Sequence, residues 1–275
     1  MKVISFINMK GGVAKTTLSV NVAHCLNVRF KKSVLLVDID PQFNATQCIM
    51  SGDEYIKYLS EGHDTIVNVF DRTPFPSVGL VQGSSVKQPK KLEDIRPHNI
   101  FSGFDLLPGS LDLYRLEMVP GEGRENKLRN YLGKIEKEYD YVIIDTPPTP
   151  SIWMTSALLA SDYYLVPVKT DPISLTGIDL LHSIVAEKTD NYGLTIKCCG
   201  LVFTIVEKGT LSYKNALSSI QKNDRWKDKL FAKYLAKRAS VVNGQLQQKY
   251  ILDMDDPEIK LQIVSIVAEL MERTK

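Results

Sequence analysis

The sequence predicts a single α/β domain built on a doubly wound, mostly parallel sheet with helices on both faces. Three observations support this fold class. Short apolar segments alternate with helix-length segments, a glycine-rich loop joins the first apolar segment to the first helix, and acidic residues end two of the apolar segments. Continuous apolar strands are typical of a parallel sheet covered on both faces, and ligands bind such sheets at the carboxyl ends of the strands.

Six segments have the length and composition of buried strands. They lie at residues 3–7, 33–38, 104–107, 140–145, 163–168 and 198–204. Residues 16–28 show helical spacing of apolar residues, and a proline opens a final predicted helix over residues 257–273. Between about residues 51 and 96 the pattern is less regular, and we interpret this region as a helical and loop insertion. We therefore expect one domain over residues 1–275.

The bulk composition is that of an ordinary globular protein. Apolar residues make up 44% of the 275 residues, and 34 basic side chains against 32 acidic ones give a net charge of +2. A dedicated DNA-binding module is usually more basic, so any nucleic-acid contact must come from a local patch. The four cysteines form no C-x-x-C pair, and no segment resembles a signal peptide or approaches the roughly 20 apolar residues of a membrane span. We expect a cytoplasmic protein.

A glycine-rich loop, KGGVAKTT, occupies residues 10–17 between the first predicted strand and the first predicted helix. Backbone N–H groups of such a loop point at bound phosphates, and the amino end of the helix adds positive potential. Gly11 and Gly12 allow the backbone to approach closely. Lys15 would reach the β- and γ-phosphates, and the Thr16 hydroxyl would bind Mg²⁺. The candidate nucleotide-binding residues are Lys10, Gly11, Gly12, Val13, Ala14, Lys15, Thr16 and Thr17.

The strict pattern G-x-x-x-x-G-K-[ST] is not met, because Met9 and Ala14 occupy its glycine positions. The loop instead resembles the deviant Walker A motif, K-G-G-x-x-K-T-[ST], of the ParA/MinD family. This resemblance implies a P-loop NTPase fold and an ATPase that uses ATP and Mg²⁺. It also implies a homodimer in the ATP state, in which Lys10 reaches across the interface to the partner's nucleotide.

A first acidic motif, VDIDPQFNAT, lies at residues 37–46, directly after the second predicted strand. It resembles the family's switch motif D-x-D-P-Q-x-N-[AS]-[TS]. The resemblance implies that Asp40 orients the attacking water and that Asp38 supports the magnesium region. Phe43 stands where relatives often carry glycine.

A second acidic motif, YVIIDTPPT, lies at residues 141–149. Four apolar residues followed by Asp145 have the Walker B form, whose aspartate holds the metal, usually through water. The predicted metal-side residues are Thr16, Asp38, Asp40 and Asp145, and the predicted catalytic residues are Lys10, Lys15 and Asp40.

The surface that the dimer binds is less well defined by the sequence. Residues 224–249 carry seven basic side chains against two acidic ones, at the place where relatives put DNA-contacting residues. Two copies in a dimer would form a groove for phosphates without sequence readout. The predicted DNA-binding residues are Lys237, Arg238, Lys208 and Lys233. The resemblance then implies nucleoid association and plasmid or chromosome partition with a ParB-like partner. No helix-turn-helix segment precedes the loop, so we expect the short form of the family.

Two other classes stay open at this point. A MinD-type ATPase would bind the membrane through a basic amphipathic helix at the carboxyl end, but the final predicted helix mixes acidic and basic residues. We therefore expect no stable membrane association. An iron–sulfur reductase component or cluster carrier would need paired cysteines, whereas Cys198 and Cys199 lie in a predicted strand. Positioning of a protein cargo over the nucleoid would use the same chemistry as DNA partition.

Overall fold

The computed structural model describes residues 1–72, 75–76, 86–87, 89–119 and 121–275. The strands are β1 (Lys2–Phe6), β2 (Val34–Asp38), β3 (Phe75–Pro76), β4 (Val86–Lys87), β5 (His98–Phe101), β6 (Phe104–Leu107), β7 (Tyr141–Asp145), β8 (Tyr163–Lys169) and β9 (Lys197–Thr204). The helices are α1 (Lys15–Val28), α2 (Asn44–Gln47), α3 (Gly52–Ser60), α4 (Ile66–Phe70), α5 (Asp112–Glu117), α6 (Lys127–Lys134), α7 (Ile152–Ala160), α8 (Pro172–Tyr192), α9 (Leu211–Gln221), α10 (Ala239–Gln245) and α11 (Pro257–Arg273). Short 3-10 turns lie at Leu92–Asp94, Arg124–Asn126 and Ile251–Asp253.

Within the described residues, seven strands form one sheet in the order β5-β6-β2-β7-β1-β8-β9. Every neighbouring pair is parallel except β5 and β6, which are antiparallel. The order places β1 and β7 at the centre, and the chain winds outward from them in both directions. The predicted fold class, a single domain with a doubly wound, mostly parallel sheet, is confirmed.

Each of the six predicted strands is present, and its ends lie within one residue of the prediction. The edge strand β5 was not predicted. Its sequence HNIF mixes polar and apolar residues, and its side chains are exposed or half-buried, so the apolar signal of a buried strand is missing. An antiparallel edge strand has one neighbour only, which explains why it needs no continuous apolar run.

Buried side chains in the described ranges form three hydrophobic clusters, two of which meet β1 on opposite faces of the sheet. On one face, Ile4 and Phe6 of β1 pack with α1 and α11. On the other face, Val3 packs with residues of α4, α6 and α7. Helix α11 has the predicted bounds, and Ile259 and Ile263 are among its fully buried residues. Its apolar stripe therefore belongs to the core. No helix in the described part of the chain is long and apolar enough to cross a membrane.

The predicted insertion over residues 51–96 contains α3, α4, the 3-10 turn and the short pair β3–β4. Helix α3 begins with a capping box in which Ser51 and Glu54 exchange hydrogen bonds. Residues 73–74, 77–85 and 88 of this region lie outside the described residues.

A buried histidine couples the folding of α1 to pH. His24 is 4% exposed, and its ring stacks on Tyr250 with 3.9 Å between ring centroids. Burial lowers the pKa of His24 from 6.5 to about 4, and the nearby Asp253 carboxylate opposes this shift only in part. The unfolded chain therefore takes up the proton first as the pH falls.

The contribution of His24 to stability is accordingly expected to decrease between pH 7 and pH 5. With a folded pKa of about 4, protonation of His24 in the unfolded chain alone should lower the free energy of unfolding by about 2 kcal/mol over this range. His24→Phe keeps the ring stack and removes the titrating group. In urea unfolding, the change from pH 7 to pH 5 should lower the free energy of unfolding of the wild type by about 2 kcal/mol more than that of this variant, and the same change in both proteins would contradict the assignment.

Candidate functional site

The loop over residues 10–17 turns sharply between β1 and α1. Gly12 has φ +70° and Ala14 has φ +55°, both in the left-handed region. A Cβ atom added at Gly11 or Gly12 would meet no atom within 4 Å. Ala14 is the N-cap of α1 and makes no side-chain capping hydrogen bond. The open space at the glycines and the uncapped helix end are what a bound phosphate group requires.

This loop forms one wall of a cavity of about 920 Å³. The opposite walls come from the first acidic motif, from α3 and from α10. Lining residues beyond the loop include Asp40, Gln42, Phe43, Thr46, Met50, Tyr55, Ile56, Val242, Gln245, Leu246 and Gln248. The cavity is large enough for a nucleotide, because small-molecule sites span roughly 300–1,000 Å³.

Two predicted acidic residues meet at the carboxyl ends of adjacent strands. Asp38 ends β2, Asp145 ends β7, and the two are register partners. Asp145 is fully buried and accepts hydrogen bonds from the Thr16 hydroxyl at 2.7 Å and from the Ser19 hydroxyl at 3.0 Å. Burial raises the pKa of Asp145, and the Lys15 charge opposes the shift more than these hydroxyls do. The second acidic motif is thereby tied directly to the phosphate loop.

The donor set beside the loop suits a magnesium ion held together with phosphates. The Thr16 hydroxyl and the Asp145 carboxylate are hard oxygen ligands that lie in contact. Among the described residues, no group of three or more histidine, cysteine, aspartate or glutamate side chains is placed to hold a metal by itself. Mg²⁺ usually binds through one or two carboxylates plus substrate phosphates, so the residues present fit it.

The first acidic motif forms a second hydrogen-bonded unit. Asp38 is fully buried, and one of its oxygens accepts from the Thr46 amide at 2.7 Å and the Thr46 hydroxyl at 2.8 Å. Burial, with the Asp145 carboxylate second, raises the pKa of Asp38 to about 8. Asp40 lines the cavity, and its side chain accepts a hydrogen bond from the backbone N–H of Gln42 at 2.9 Å. Asp40 therefore faces the ligand space, and Asp38 lies behind it.

Both loop lysines lie at the cavity. Lys15 is 7% exposed. The Lys10 ammonium lies 2.6 Å from a carboxylate oxygen of Asp171, which follows β8. The Lys10 amide donates to the Asn8 side chain at 2.9 Å. Asp171 and Asn8 were not predicted, although an acidic residue three positions after the end of a predicted strand is the signal that could have identified Asp171.

Helix α10 forms another wall of the cavity and contacts the phosphate loop. The Thr17 hydroxyl donates to the side-chain oxygen of Gln245 at 3.2 Å. The side-chain nitrogen of Gln245 donates to the Cys48 sulfur at 3.4 Å. Val242 and Leu246 of the same segment line the cavity and are largely exposed. No motif in the sequence pointed to these residues.

The predicted DNA-binding residues lie at the outer edge of the sheet. Residues 229–237 run beside β9 and exchange backbone hydrogen bonds with it. Lys237 lies 2.7 Å from Glu207, which brings it next to the exposed Lys208. Lys233 is also exposed, four residues earlier in this segment.

Arg238 differs from these lysines. Its guanidinium is half-buried and lies 3.0 Å from Asp256, the N-cap of α11, and 2.5 Å from Glu258. Arg238 therefore contributes to the start of a core helix, a role that its sequence neighbourhood did not indicate.

Comparison with known proteins places this geometry in a family. The AAA domain family matches residues 1–196, more than half of the chain. The chain is 30% identical over 258 residues to the sporulation initiation inhibitor protein Soj of Bacillus subtilis, covering 92% of this chain and 91% of Soj.

Two solved structures share the fold. A putative plasmid partition protein of Borrelia burgdorferi bound to AMPPNP has a TM-score of 0.74 and 20% identity, with 99% of this chain and 97% of that chain covered. A McdA variant from Cyanothece in complex with ATP has a TM-score of 0.78 and 16% identity, with 99% and 96% covered. With the phosphate loop, the two acidic motifs and the match to Soj on one fold, the chain belongs to the ParA/Soj family of P-loop ATPases.

Proposed function

We propose that this protein is an ATP-driven dimerising switch that binds DNA without sequence preference in its ATP state and drives plasmid or chromosome partition with a ParB-like partner. The observation that carries the proposal is the cavity that the phosphate loop and Asp40 line together. Membership of the family that includes Soj, and a fold shared with a plasmid partition protein, support it.

The predicted site residues have distinct proposed roles. Backbone N–H groups of residues 10–17 and the Lys15 ammonium bind the ATP phosphates. Thr16 and Asp145 would hold Mg²⁺ together with those phosphates, and the ion would neutralise charge on the phosphate oxygens. Asp40 orients the attacking water. Asp38 supports the position of Asp40 by accepting hydrogen bonds from Thr46 in the same motif.

Dimerisation completes the site in this proposal. Lys10 lines the cavity, and its side chain is 32% exposed while it pairs with Asp171. In the ATP state, Lys10 exchanges the Asp171 carboxylate for a phosphate of the partner's nucleotide. A phosphate-dependent exchange of this kind is a recognised switching device.

The DNA-binding face comprises Lys208, Lys233 and Lys237, with Arg238 at its margin. Lysine side chains neutralise DNA phosphates, and contacts to phosphates carry no sequence information. Binding should therefore be nonspecific and should weaken as the salt concentration rises. A membrane surface is less compatible with the structure, because the apolar stripe of α11 is buried in the core.

Hydrolysis should depend on Asp40 much more than nucleotide binding does. Asp40→Asn is expected to lower kcat for ATP by about a hundredfold with little change in KM, because the water would lose its orienting carboxylate. Steady-state phosphate release measures both constants. Asp190→Asn, an exposed carboxylate on α8, is the matched control and should behave like the wild type. Equal kcat values for Asp40→Asn and the wild type would contradict the role of Asp40.

DNA binding should require ATP and the exposed lysines. Cosedimentation with nonspecific DNA is expected with ATP–Mg²⁺ and not with ADP–Mg²⁺. The triple variant Lys208→Ala, Lys233→Ala, Lys237→Ala should bind about tenfold or more weakly and with a flatter salt dependence. The matched control is a triple alanine variant at Lys57, Lys134 and Lys137, which are exposed elsewhere.

Arg238 is tested separately, as Arg238→Lys with a melting curve, because its ion pairs contribute to the start of α11. Anionic liposomes form a parallel arm. Binding to liposomes and not to DNA, or equal DNA binding by the lysine triple variant and the wild type, would contradict the proposal.

A further inference from the structure

Phe43 has an unusual backbone conformation for an aromatic residue. Its torsions are φ +42° and ψ +40°, in the left-handed region that glycine adopts freely and other L-residues seldom adopt. It lies three residues after Asp40 and lines the nucleotide cavity. A strained residue in a functional loop persists only when the surrounding structure holds it in place.

Two neighbours hold the Phe43 side chain. Its ring stacks on Tyr55 of α3, with 5.2 Å between centroids and 20° between planes. Gly109 lies close to the base of the side chain, since an added Cβ atom there would be 2.7 Å from the Cβ of Phe43. The Tyr55 hydroxyl donates to the Gly109 carbonyl at 2.7 Å. Phe43, Tyr55 and Gly109 thus form a closed triangle of contacts.

The triangle is connected to both aspartates of the first acidic motif. The Phe43 amide donates to the Asp40 carbonyl at 2.8 Å, which closes the turn that carries the Asp40 side chain. The Gly109 amide donates at 2.8 Å to the Thr46 hydroxyl, which in turn donates to Asp38. A displacement of Phe43 would therefore change the position of Asp40 and the support behind it.

We propose that Phe43 and Tyr55 form an aromatic latch that holds Asp40 in its position at the cavity. The latch couples α3 to the first acidic motif, residues 37–46. Phe43 is a positioning residue in this assignment, and its strained backbone is what the stack stabilises. The inference rests on the proposed function, in which Asp40 orients the attacking water. The capping box at Ser51 and Glu54 fixes the first turn of α3, so Tyr55 is a firm support.

The latch is tested with Phe43→Leu, Tyr55→Leu and the double variant. Each single change should lower kcat for ATP by about tenfold with KM unchanged, because the phosphate loop is intact. The double variant should lose about the same factor as each single variant, since either change breaks the same pair. Tyr55→Phe keeps the stack and should retain most of kcat. Tyr192→Leu, a half-exposed tyrosine on α8, is the matched control.

Hydrogen exchange supplies a readout independent of turnover. In the nucleotide-free protein, amides of residues 42–47 should exchange about tenfold faster in Phe43→Leu and Tyr55→Leu than in the wild type, while the melting temperature changes little. Wild-type exchange and kcat in both variants, or independent losses that multiply in the double variant, would overturn the latch while leaving the proposed function intact. A wild-type protein that hydrolyses no ATP would overturn both.

Gly109, which lies close to the Phe43 Cβ, gives a third test. Gly109→Ala would place a methyl group 2.7 Å from the Phe43 Cβ and 2.9 Å from the Asp38 carboxyl carbon. It should reproduce the loss of kcat seen in Phe43→Leu. Gly133→Ala in α6, where an added Cβ meets no atom within 4 Å, should leave kcat unchanged. Normal kcat in Gly109→Ala would contradict the latch.

Discussion

The buried carboxylate of Asp145 is the interaction on which the arrangement of the site depends. A carboxylate without water is stable in a protein only when hydrogen-bond donors surround it. Here the donors are the hydroxyls of Thr16 and Ser19 in the first turns of α1. Because β7 lies at the centre of the sheet, this contact fixes the amino end of α1, and the phosphate loop before it, at the carboxyl ends of the strands.

The register of β2 and β7 extends this constraint to the rest of the cavity. It brings Asp38 beside Asp145, and Asp38 accepts hydrogen bonds from Thr46 that hold the end of the first acidic motif in place. From Thr46 the hydrogen bonds continue to Gly109 and to Tyr55 of α3, whose ring stacks on Phe43. The first acidic motif, which carries Asp40, is therefore in contact with α3 of the insertion. A ligand that moves Asp40 would change these contacts, and a change in α3 would in turn affect the site.

Much of the fold was predictable because its signals are local. The buried strands are continuous apolar runs, and the phosphate loop and both acidic motifs are short segments with fixed spacing. Contacts between distant segments were not predictable in this way. Thr17 and Gln245 are 228 residues apart, the ion pair of Lys10 joins residues 161 apart, and Tyr55 reaches Phe43 only through the folded position of α3. Arg238 likewise appeared as one basic residue among several until its carboxylate partners were seen.

Calorimetric titration of AMPPNP with and without Mg²⁺, on the wild type and on Asp145→Asn, tests most directly whether the carboxylate of β7 organises the nucleotide site. The account predicts that Mg²⁺ strengthens AMPPNP binding about tenfold or more in the wild type and has little effect in Asp145→Asn, with the circular dichroism spectrum unchanged. The same strengthening by Mg²⁺ in both proteins would contradict it.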